Sequence, residues 1–521
     1  MNEPSSSIWK HNFLPRLSPV RFLRWLFSWR MVRRYLFCLA CLATLIALFY
    51  AEENWRGKHA WEKYKHEWEA KGEKFDLQAF IPAPVPDDQN FATTPFLAEM
   101  FDFNPAPRKQ GQSIWRNTNA LTLTDGFSLG KAAPKSSGFW AKGELTDLAA
   151  WVVCFQTGKD APSPVKSSLT RTQAATEVLR AMDKFKPVLT ELQTASHRSY
   201  ARFNIQYNEP SGPWDILLPH LALMKRSCTI LQLRSSAELA LGQSEQALQD
   251  TEMVFYLGDA IKNEPFLISG LVHLAIVQIG LQPIWEGLAE HQWSDAQLAE
   301  LTQQLEKIDL MEKYGATLRG ERALNIAGVD YMRLGRKNDE FAGIVVMPSG
   351  WLYQNQLAFA RLYQARILPV LDAANHRAYP SNVLSDALLD KELRHGFPPY
   401  NIFAKLLYPA IAHSSIKYAA AQTKLDEAVL ACALERYRLA HGEFPETLDS
   451  LSPQFIAHIP HDLFTGEPLK YHRTDDGRFV LYSIGWNGKD DGGKVVMIKT
   501  SDSSRVDPTQ GDWVWPLYPA P

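Results

Sequence analysis

One short segment of this chain has the spacing of a known catalytic motif. Ser414-Ser415-Ile416-Lys417 matches SxxK, in which a lysine can activate a serine nucleophile in penicillin-binding enzymes. The KTG and SDN segments that accompany such sites are absent, as are HExxH, the Walker A pattern and GxGxxG. A pattern with only two fixed residues arises by chance in a chain of 521 residues, so it predicts no serine enzyme.

The remaining titratable candidates lie within predicted helices. His220 and His273 stand among apolar residues, where a histidine is more often a core or surface residue than a ligand. Glu321 and Arg322, with Arg319 one turn earlier, predict an ion-paired helix face. These patterns favour a non-enzymatic protein, and no motif predicts a bound cofactor.

The overall charge argues against nucleic acid as a partner. The chain has 55 Lys and Arg against 57 Asp and Glu, and its formal net charge is -2. Nucleic-acid binding usually requires a basic surplus that neutralises phosphates. Hydrophobic residues make up 46% of the sequence, enough for ordinary cores in two to four domains.

An apolar run near the N-terminus has the length of a membrane span. Residues 35–51 carry no charge and would cover roughly 25 Å as a helix, against about 30 Å for a hydrocarbon core. Residues 1–34 contain seven Lys or Arg and one acid, whereas residues 52–74 contain six of each. The positive-inside rule therefore predicts a single-pass protein of the bacterial inner (cytoplasmic) membrane, with a cytoplasmic N-terminus and an extracytoplasmic bulk.

The basic tail before this run is predicted to contact lipid. Within residues 1–34, the segment 19–30 interleaves arginines with tryptophan, phenylalanine and leucine. That composition predicts a helix in the cytoplasmic interface, with its arginines on anionic headgroups. The anchor is predicted to be uncleaved, because Phe49-Tyr50-Ala51 is not a signal-peptidase site.

Residues 52–86 predict a stalk helix followed by a proline-rich spacer. Trp61, Tyr64 and Trp68 fall on one helical face, which predicts that the stalk packs on its own ectodomain. The IPAPVP segment at 81–86 is typical of a polyproline-type spacer.

Residues 87–400 predict a mostly helical ectodomain built from antiparallel helix pairs. Within residues 234–265 the ALG turn and the following QAL resemble a tetratricopeptide repeat (TPR), although no second copy follows. The fold class is therefore mainly α, with TPR-like helix pairs whose grooves usually bind partner proteins. Helical periodicity predicts helices over 144–156, 168–196, 214–241, 244–262, 265–290, 294–334 and 353–376, with a capping box at Ser294 and Gln297.

Residues 401–521 predict a small α+β module, a long helix plus an antiparallel three-stranded sheet. The helix is predicted over 402–441 and ends at Gly442, a typical residue after a helix C-terminus. Gly477 closes a tight turn between the first two strands. The three predicted strands are Leu469–Arg473, Arg478–Ile484 and Val495–Lys499.

Five segments of this module follow one another in a recognisable order. They are Ala433-Leu434-Glu435-Arg436-Tyr437-Arg438, Gly442-Glu443-Phe444-Pro445, Ile459-Pro460-His461-Asp462, Phe464-Thr465-Gly466-Glu467-Pro468-Leu469-Lys470-Tyr471, and Leu481-Tyr482-Ser483-Ile484-Gly485 before Asn487-Gly488. In these segments the module resembles the C-terminal part of type II secretion pseudopilins over about 90 residues. The chain as a whole is also similar to large bacterial membrane-anchored proteins with this ending, a resemblance that implies no activity.

The resemblance implies a calcium loop after the Tyr-Ser-x-Gly strand. Asp490 and Asp491 occupy that loop, and Asp512 lies downstream with Asp502 and Asp507. Calcium takes six to eight oxygen ligands, so two adjacent carboxylates need further oxygens. The alternative is that the paired aspartates form a solvated turn.

The chain differs from pseudopilins in what precedes this module. The apolar anchor stands far upstream of this module, and Lys405, Pro409 and His413 interrupt the segment directly before it. We therefore predict a membrane-anchored envelope protein with a protein-interaction ectodomain. The alternatives are a structural component of a secretion or pilus-like assembly, and an envelope hydrolase with an unrecognised site.

Overall fold

The structure is a computed structural model and describes residues 28–104, 114–116, 122, 125–130, 134, 138–156, 169–335, 347–393, 398–499 and 504–516. Its longer helices are α1 Trp29–Glu69, α2 Leu148–Gln156, α3 Arg171–Met182, α4 Lys186–Ala195, α5 His220–Ala240, α6 Ser244–Ala260, α7 Leu267–Ala289, α8 Asp295–Glu306, α9 Leu310–Arg333, α10 Ser349–Leu362, α11 Asp386–Leu393 and α12 Ile402–His441. Its strands are β1 Leu371–Asp372, β2 Arg377–Ala378, β3 Lys470–Arg473, β4 Phe479–Ser483, β5 Val495–Lys499, β6 Ser504–Gly511 and β7 Trp513–Val514.

Helix α1 carries the predicted span and the predicted stalk without a break. No residue of its most apolar stretch is buried, which is the exposure expected of a helix that could cross a membrane. Helix α7 is also long and apolar, but 61% of its apolar window is buried because it forms the centre of the helical body. The interfacial helix predicted at 19–30 lies outside the described residues.

The second half of α1 packs on the body, as its aromatic stripe predicts. Trp61 is buried against Phe75, and Tyr64 and Trp68 border the same small cluster with Leu357 of α10. Burial of these large rings offsets the cost of fixing a long helix against the body.

Antiparallel pairing organises the helical body. Helix α5 packs on α6, and both pack on α7. The turn between α5 and α6 is closed by Gly242, whose φ of 72° is accessible to glycine at little cost. Ser294 and Gln297 form the predicted capping box at the start of α8. The fold is therefore mainly helical with paired helices.

Three predicted helices end earlier than their periodicity suggests. The helix predicted over 168–196 divides into α3 and α4 at a 3-10 turn over Asp183–Phe185. The helix predicted over 294–334 divides into α8 and α9, because the Asp309 side chain accepts the backbone N–H of Glu312 and caps a new helix start. The helix predicted over 353–376 ends at Leu362, and a π-helical turn at Tyr363–Ile367 leads towards strand β1.

The C-terminal sheet has three antiparallel strands, as predicted. The strand predicted over Val495–Lys499 forms with these bounds as β5, but it is not the third strand of that sheet. The observed order is β3-β4-β7, and β5 pairs with β6 in a separate hairpin. Trp513 of β7 is 3% exposed beside β4, whereas Val495 of β5 is 36% exposed. Burying the larger indole removes more apolar surface from water, which favours β7 as the neighbour of β4.

One hydrophobic core joins the body to the C-terminal module. Trp285 of α7, Leu318 of α9 and Leu430 of α12 belong to the same buried cluster as Leu481 of β4. The predicted boundary between residues 400 and 401 therefore runs through a continuous core. Helix α12 ends at Gly442, whose φ is 86°, as predicted.

Candidate functional site

An apolar cleft opens between the helical body and the C-terminal hairpin. It encloses about 490 Å³ between α7, α12 and the β5–β6 hairpin. Phe139 stands at this cleft with 43% of its surface exposed. We call it the α7–α12 cleft; its lining includes Phe139, Leu271, Leu274, Ala420, Val506 and Trp513.

Three basic side chains line this cleft. Lys417 and Arg505 are exposed, and neither forms an ion pair within the part of the chain that the structure describes. The third, Lys424, lies deeper and places its Nζ 2.7 Å from Glu427 and 2.7 Å from the carbonyl oxygen of Val514. The exposed charge at the cleft is therefore positive.

Burial perturbs the Lys424–Glu427 pair. It lowers the pKa of Lys424, while the nearby Glu427 carboxylate opposes that shift. It raises the pKa of Glu427 to about 7 despite the nearby ammonium. The hydrogen bond from Lys424 to Val514 ties α12 to β7, so this pair fixes the base of the cleft.

The Asp490 loop stands beside the cleft and is held by its own hydrogen bonds. Asp512 accepts the backbone N–H groups of Asp491 at 3.1 Å and Gly493 at 2.6 Å, and it also lines the cleft. Asp490 accepts the Tyr482 hydroxyl at 3.0 Å. The three carboxylates therefore lie in one loop region. Burial is the larger cause that raises the pKa of Asp512, and the negative charges of Asp490 and Asp491 raise it further.

The aspartate carboxylates of this region act as hydrogen-bond acceptors. Asp491 accepts the side-chain amide of Asn487 at 3.0 Å, and Asp507 accepts the Thr509 hydroxyl at 2.7 Å. Among the described residues, no three His, Cys, Asp or Glu side chains surround one possible cation position. Calcium binding by Asp490, Asp491 and Asp512 stays a prediction; Asp502 lies outside the described residues.

The SxxK residues are not assembled as a nucleophile and base. The hydroxyl of Ser414 is buried and donates to the carbonyl oxygen of Ile411 at 2.5 Å. The hydroxyl of Ser415 is buried 2.8 Å from Tyr314, whereas Lys417 faces the α7–α12 cleft. The lysine therefore contributes charge to the cleft rather than activating the serine.

The predicted ion-paired face on α9 is correct for its arginines only. Arg319 and Arg322 both contact the Glu73 carboxylate, at 3.1 and 2.6 Å. Glu321 instead accepts the backbone N–H of Leu267 at 2.9 Å, and burial raises its pKa. Its carboxylate thus caps the start of α7.

A buried polar group contains His220, as expected for a core histidine. His220 Nε2 lies 2.6 Å from one oxygen of Glu264, and Ser269 donates to the other oxygen at 2.5 Å. A nucleophilic serine needs direct contact with its base. Here the carboxylate separates the two groups, and the face of the histidine ring stacks on Phe203.

A GxSxG pattern occurs at Gly126-Phe127-Ser128-Leu129-Gly130 and is not supported by its surroundings. A nucleophile elbow places the serine between a strand and a helix. Here the flanking Phe127 and Leu129 are buried, and the Ser128 hydroxyl accepts the backbone N–H of Gly130 at 3.3 Å. Within the described residues no hydrogen bond joins Ser128 to a histidine.

Sequence patterns did not reveal the α7–α12 cleft, because its walls come from four separate parts of the chain. The exposure of Phe139 has no sequence signature, since an aromatic residue is usually buried. No protein-family model matches the chain, and comparisons with curated proteins and with solved structures also give no match.

Proposed function

We propose that this protein is a single-pass, membrane-anchored envelope protein whose helical body binds a partner protein in the α7–α12 cleft. The observation that carries the proposal is an apolar cleft of about 490 Å³ with two exposed cations, Lys417 and Arg505. The occupant is an amphipathic segment that places apolar side chains in the cleft and acidic side chains near these cations.

The anchor and its flanking charges support a location in the bacterial inner membrane, with the N-terminus in the cytoplasm. Helix α1 joins the span directly to the body through packing against α10. The cleft would therefore be presented to partners in the extracytoplasmic space at a fixed geometry relative to the bilayer.

Site-specific photo-cross-linking in intact cells tests the proposal. Phe139 is replaced by the photoreactive aromatic p-benzoylphenylalanine, and the exposed Tyr200 receives the same residue as a matched control. We expect a discrete cross-linked product at position 139 but not at 200. The cross-linked segment should contain apolar residues flanked by acids.

Reversing the two exposed charges of the cleft is the second part of this test. Lys417→Glu with Arg505→Glu should remove the product at position 139, because the acidic flank of the partner is then repelled. A product that survives charge reversal, or identical products at positions 139 and 200, contradicts the proposal. Cross-linking to lipid or to a second copy of this chain contradicts the assigned occupant.

A structural role in a secretion or pilus-like assembly is the second candidate. It is supported by the order of a long helix, α12, followed by the antiparallel sheet β3-β4-β7, which is the order expected of a pseudopilin-like module. The module packs in the same core as α7 and α9, so we propose a fixed part of the body rather than a polymerising unit. Co-purification with secretion proteins, lost when the module is altered, tests this role.

A further inference from the structure

A second cavity lies where the membrane helix meets the body. It encloses about 740 Å³ between α1, α10 and the residues around Tyr400. We call it the junction pocket; its lining includes Arg56, Tyr64, Trp68, Leu357, Arg361 and Tyr400.

If residues 35–51 span the bilayer, as proposed above, the junction pocket begins at the level of the lipid headgroups. Arg56 follows Ala51, the last residue of the apolar run, by five positions in the unbroken helix α1. Five residues rise about 8 Å, and the headgroup layer on each side of a bilayer is about 5–8 Å thick. The pocket then continues along α1 to Trp68, roughly 18 Å further from the membrane.

The apolar wall of the pocket lies on the membrane side of Arg361. Helices α1 and α10 run in the same direction, since Gly350 contacts Glu53 and Leu357 packs with Trp61. Leu357 is one helical turn nearer the membrane than Arg361. Along the pocket, the apolar Leu357 therefore lies between Arg56, at the membrane side, and Arg361.

The charge of the lining is positive. Arg56 and Arg361 line the pocket, and no carboxylate does among the described residues. Arg56 is paired with Glu52 and Glu53 on α1. Arg361 lies 5.8 Å from the ring centroid of Tyr64 and forms no ion pair with the described part of the chain, so its charge is available to an anion.

We propose that the junction pocket binds one acidic phospholipid of the leaflet from which α1 emerges. The phosphate contacts Arg361, and an acyl chain runs back past Leu357 towards the bilayer. Arg56 at the mouth is neutralised by Glu52 and Glu53, so Arg361 supplies the charge that selects an anionic headgroup. Because the pocket is continuous with the membrane surface, we favour a lipid partly withdrawn from the bilayer over a ligand taken up from solution.

Native mass spectrometry of the full-length protein in detergent tests the lipid site. Phosphatidylglycerol is compared with phosphatidylcholine of the same acyl chains, and glycerol 3-phosphate is added as a soluble competitor. We expect one retained phosphatidylglycerol per chain. Arg361→Gln should weaken its binding roughly fivefold, since a basic side chain near an anionic lipid surface contributes about 1 kcal/mol.

Two further variants separate charge from shape and from nonspecific effects. Ala358→Trp fills the pocket without changing its charge and should also reduce retention of phosphatidylglycerol. Arg180→Gln changes an exposed arginine of α3 and should leave retention as in the unmodified protein. Circular dichroism checks that each variant is folded.

Three results would overturn the lipid site. The first is equal retention of the two lipids, and the second is an equal effect of Arg361→Gln and Arg180→Gln. The third is displacement of the bound lipid by glycerol 3-phosphate, which would assign the pocket to a soluble anion.

Discussion

Gly57 of α1 and Gly350 of α10 touch backbone to backbone. A Cβ atom placed on Gly57 would lie 2.2 Å from the carbonyl oxygen of Gly350, and one on Gly350 would lie 1.9 Å from the carbonyl oxygen of Glu53. Only glycine permits this approach. The contact lies just beyond the predicted span, so it fixes the direction in which the apolar part of α1 leaves the body.

Gly350→Ala should destabilise the junction by about 1–3 kcal/mol, because the added methyl group forces the two backbones apart. Thermal unfolding of the full chain in mild detergent measures the change. Gly126→Ala is the matched control, since a Cβ atom there meets nothing within 4 Å. Equal melting temperatures for the two variants would show that the helices separate without cost.

Glu73→Gln should destabilise the protein by about 3–5 kcal/mol, because it leaves a buried guanidinium without its carboxylate. Arg322 is fully buried, donates to Glu73 at 2.6 Å and lies over the Phe75 ring at 4.4 Å. Urea unfolding measures the loss. Glu67→Gln breaks an exposed pair with Lys71 and should change little; a similar loss in both variants would contradict a special role for Glu73.

His273 should make the protein acid-sensitive. Burial lowers the pKa of this imidazole to about 4, although Asp259 at 3.9 Å opposes the shift. The folded pKa lies below the unfolded value of about 6.5, so the unfolded chain takes up the proton first as the pH falls. Stability present above pH 6.5 is therefore lost towards pH 4, by about 3 kcal/mol from this group.

The histidine contribution is isolated by comparing variants. His273→Gln cannot titrate, so its free energy of unfolding should fall less between pH 7 and pH 4.5 than that of the unmodified protein. His413→Gln changes an exposed histidine and should keep the full acid sensitivity. An unchanged pH dependence in His273→Gln would assign the acid sensitivity to other groups.

Calcium binding by the aspartate loop is tested by melting the full chain with and without the ion. If Asp490, Asp491 and Asp512 hold calcium, a hundredfold excess over Kd stabilises the folded state by about 2.7 kcal/mol. Asp490→Asn with Asp491→Asn should abolish that shift, and magnesium serves as the control ion. No change in melting at millimolar calcium would remove the predicted site.

Local features of this fold could be predicted from the sequence. The apolar run of α1, the capping box at Ser294, the turn at Gly477 and the end of α12 at Gly442 each depend on residues close in the chain. Backbone geometry and helix capping act over one or two turns, so the sequence pattern determined these elements directly.

Only the tertiary structure decided which distant elements meet. The Arg322–Glu73 pair spans 249 residues, and the choice of β7 over β5 beside β4 followed from the burial of Trp513. The α7–α12 cleft and the junction pocket likewise join segments far apart in the chain. Such contacts depend on which distant surfaces pack together and exclude water between them. Several segments compete for each such surface, and no local sequence pattern shows which one will pack there.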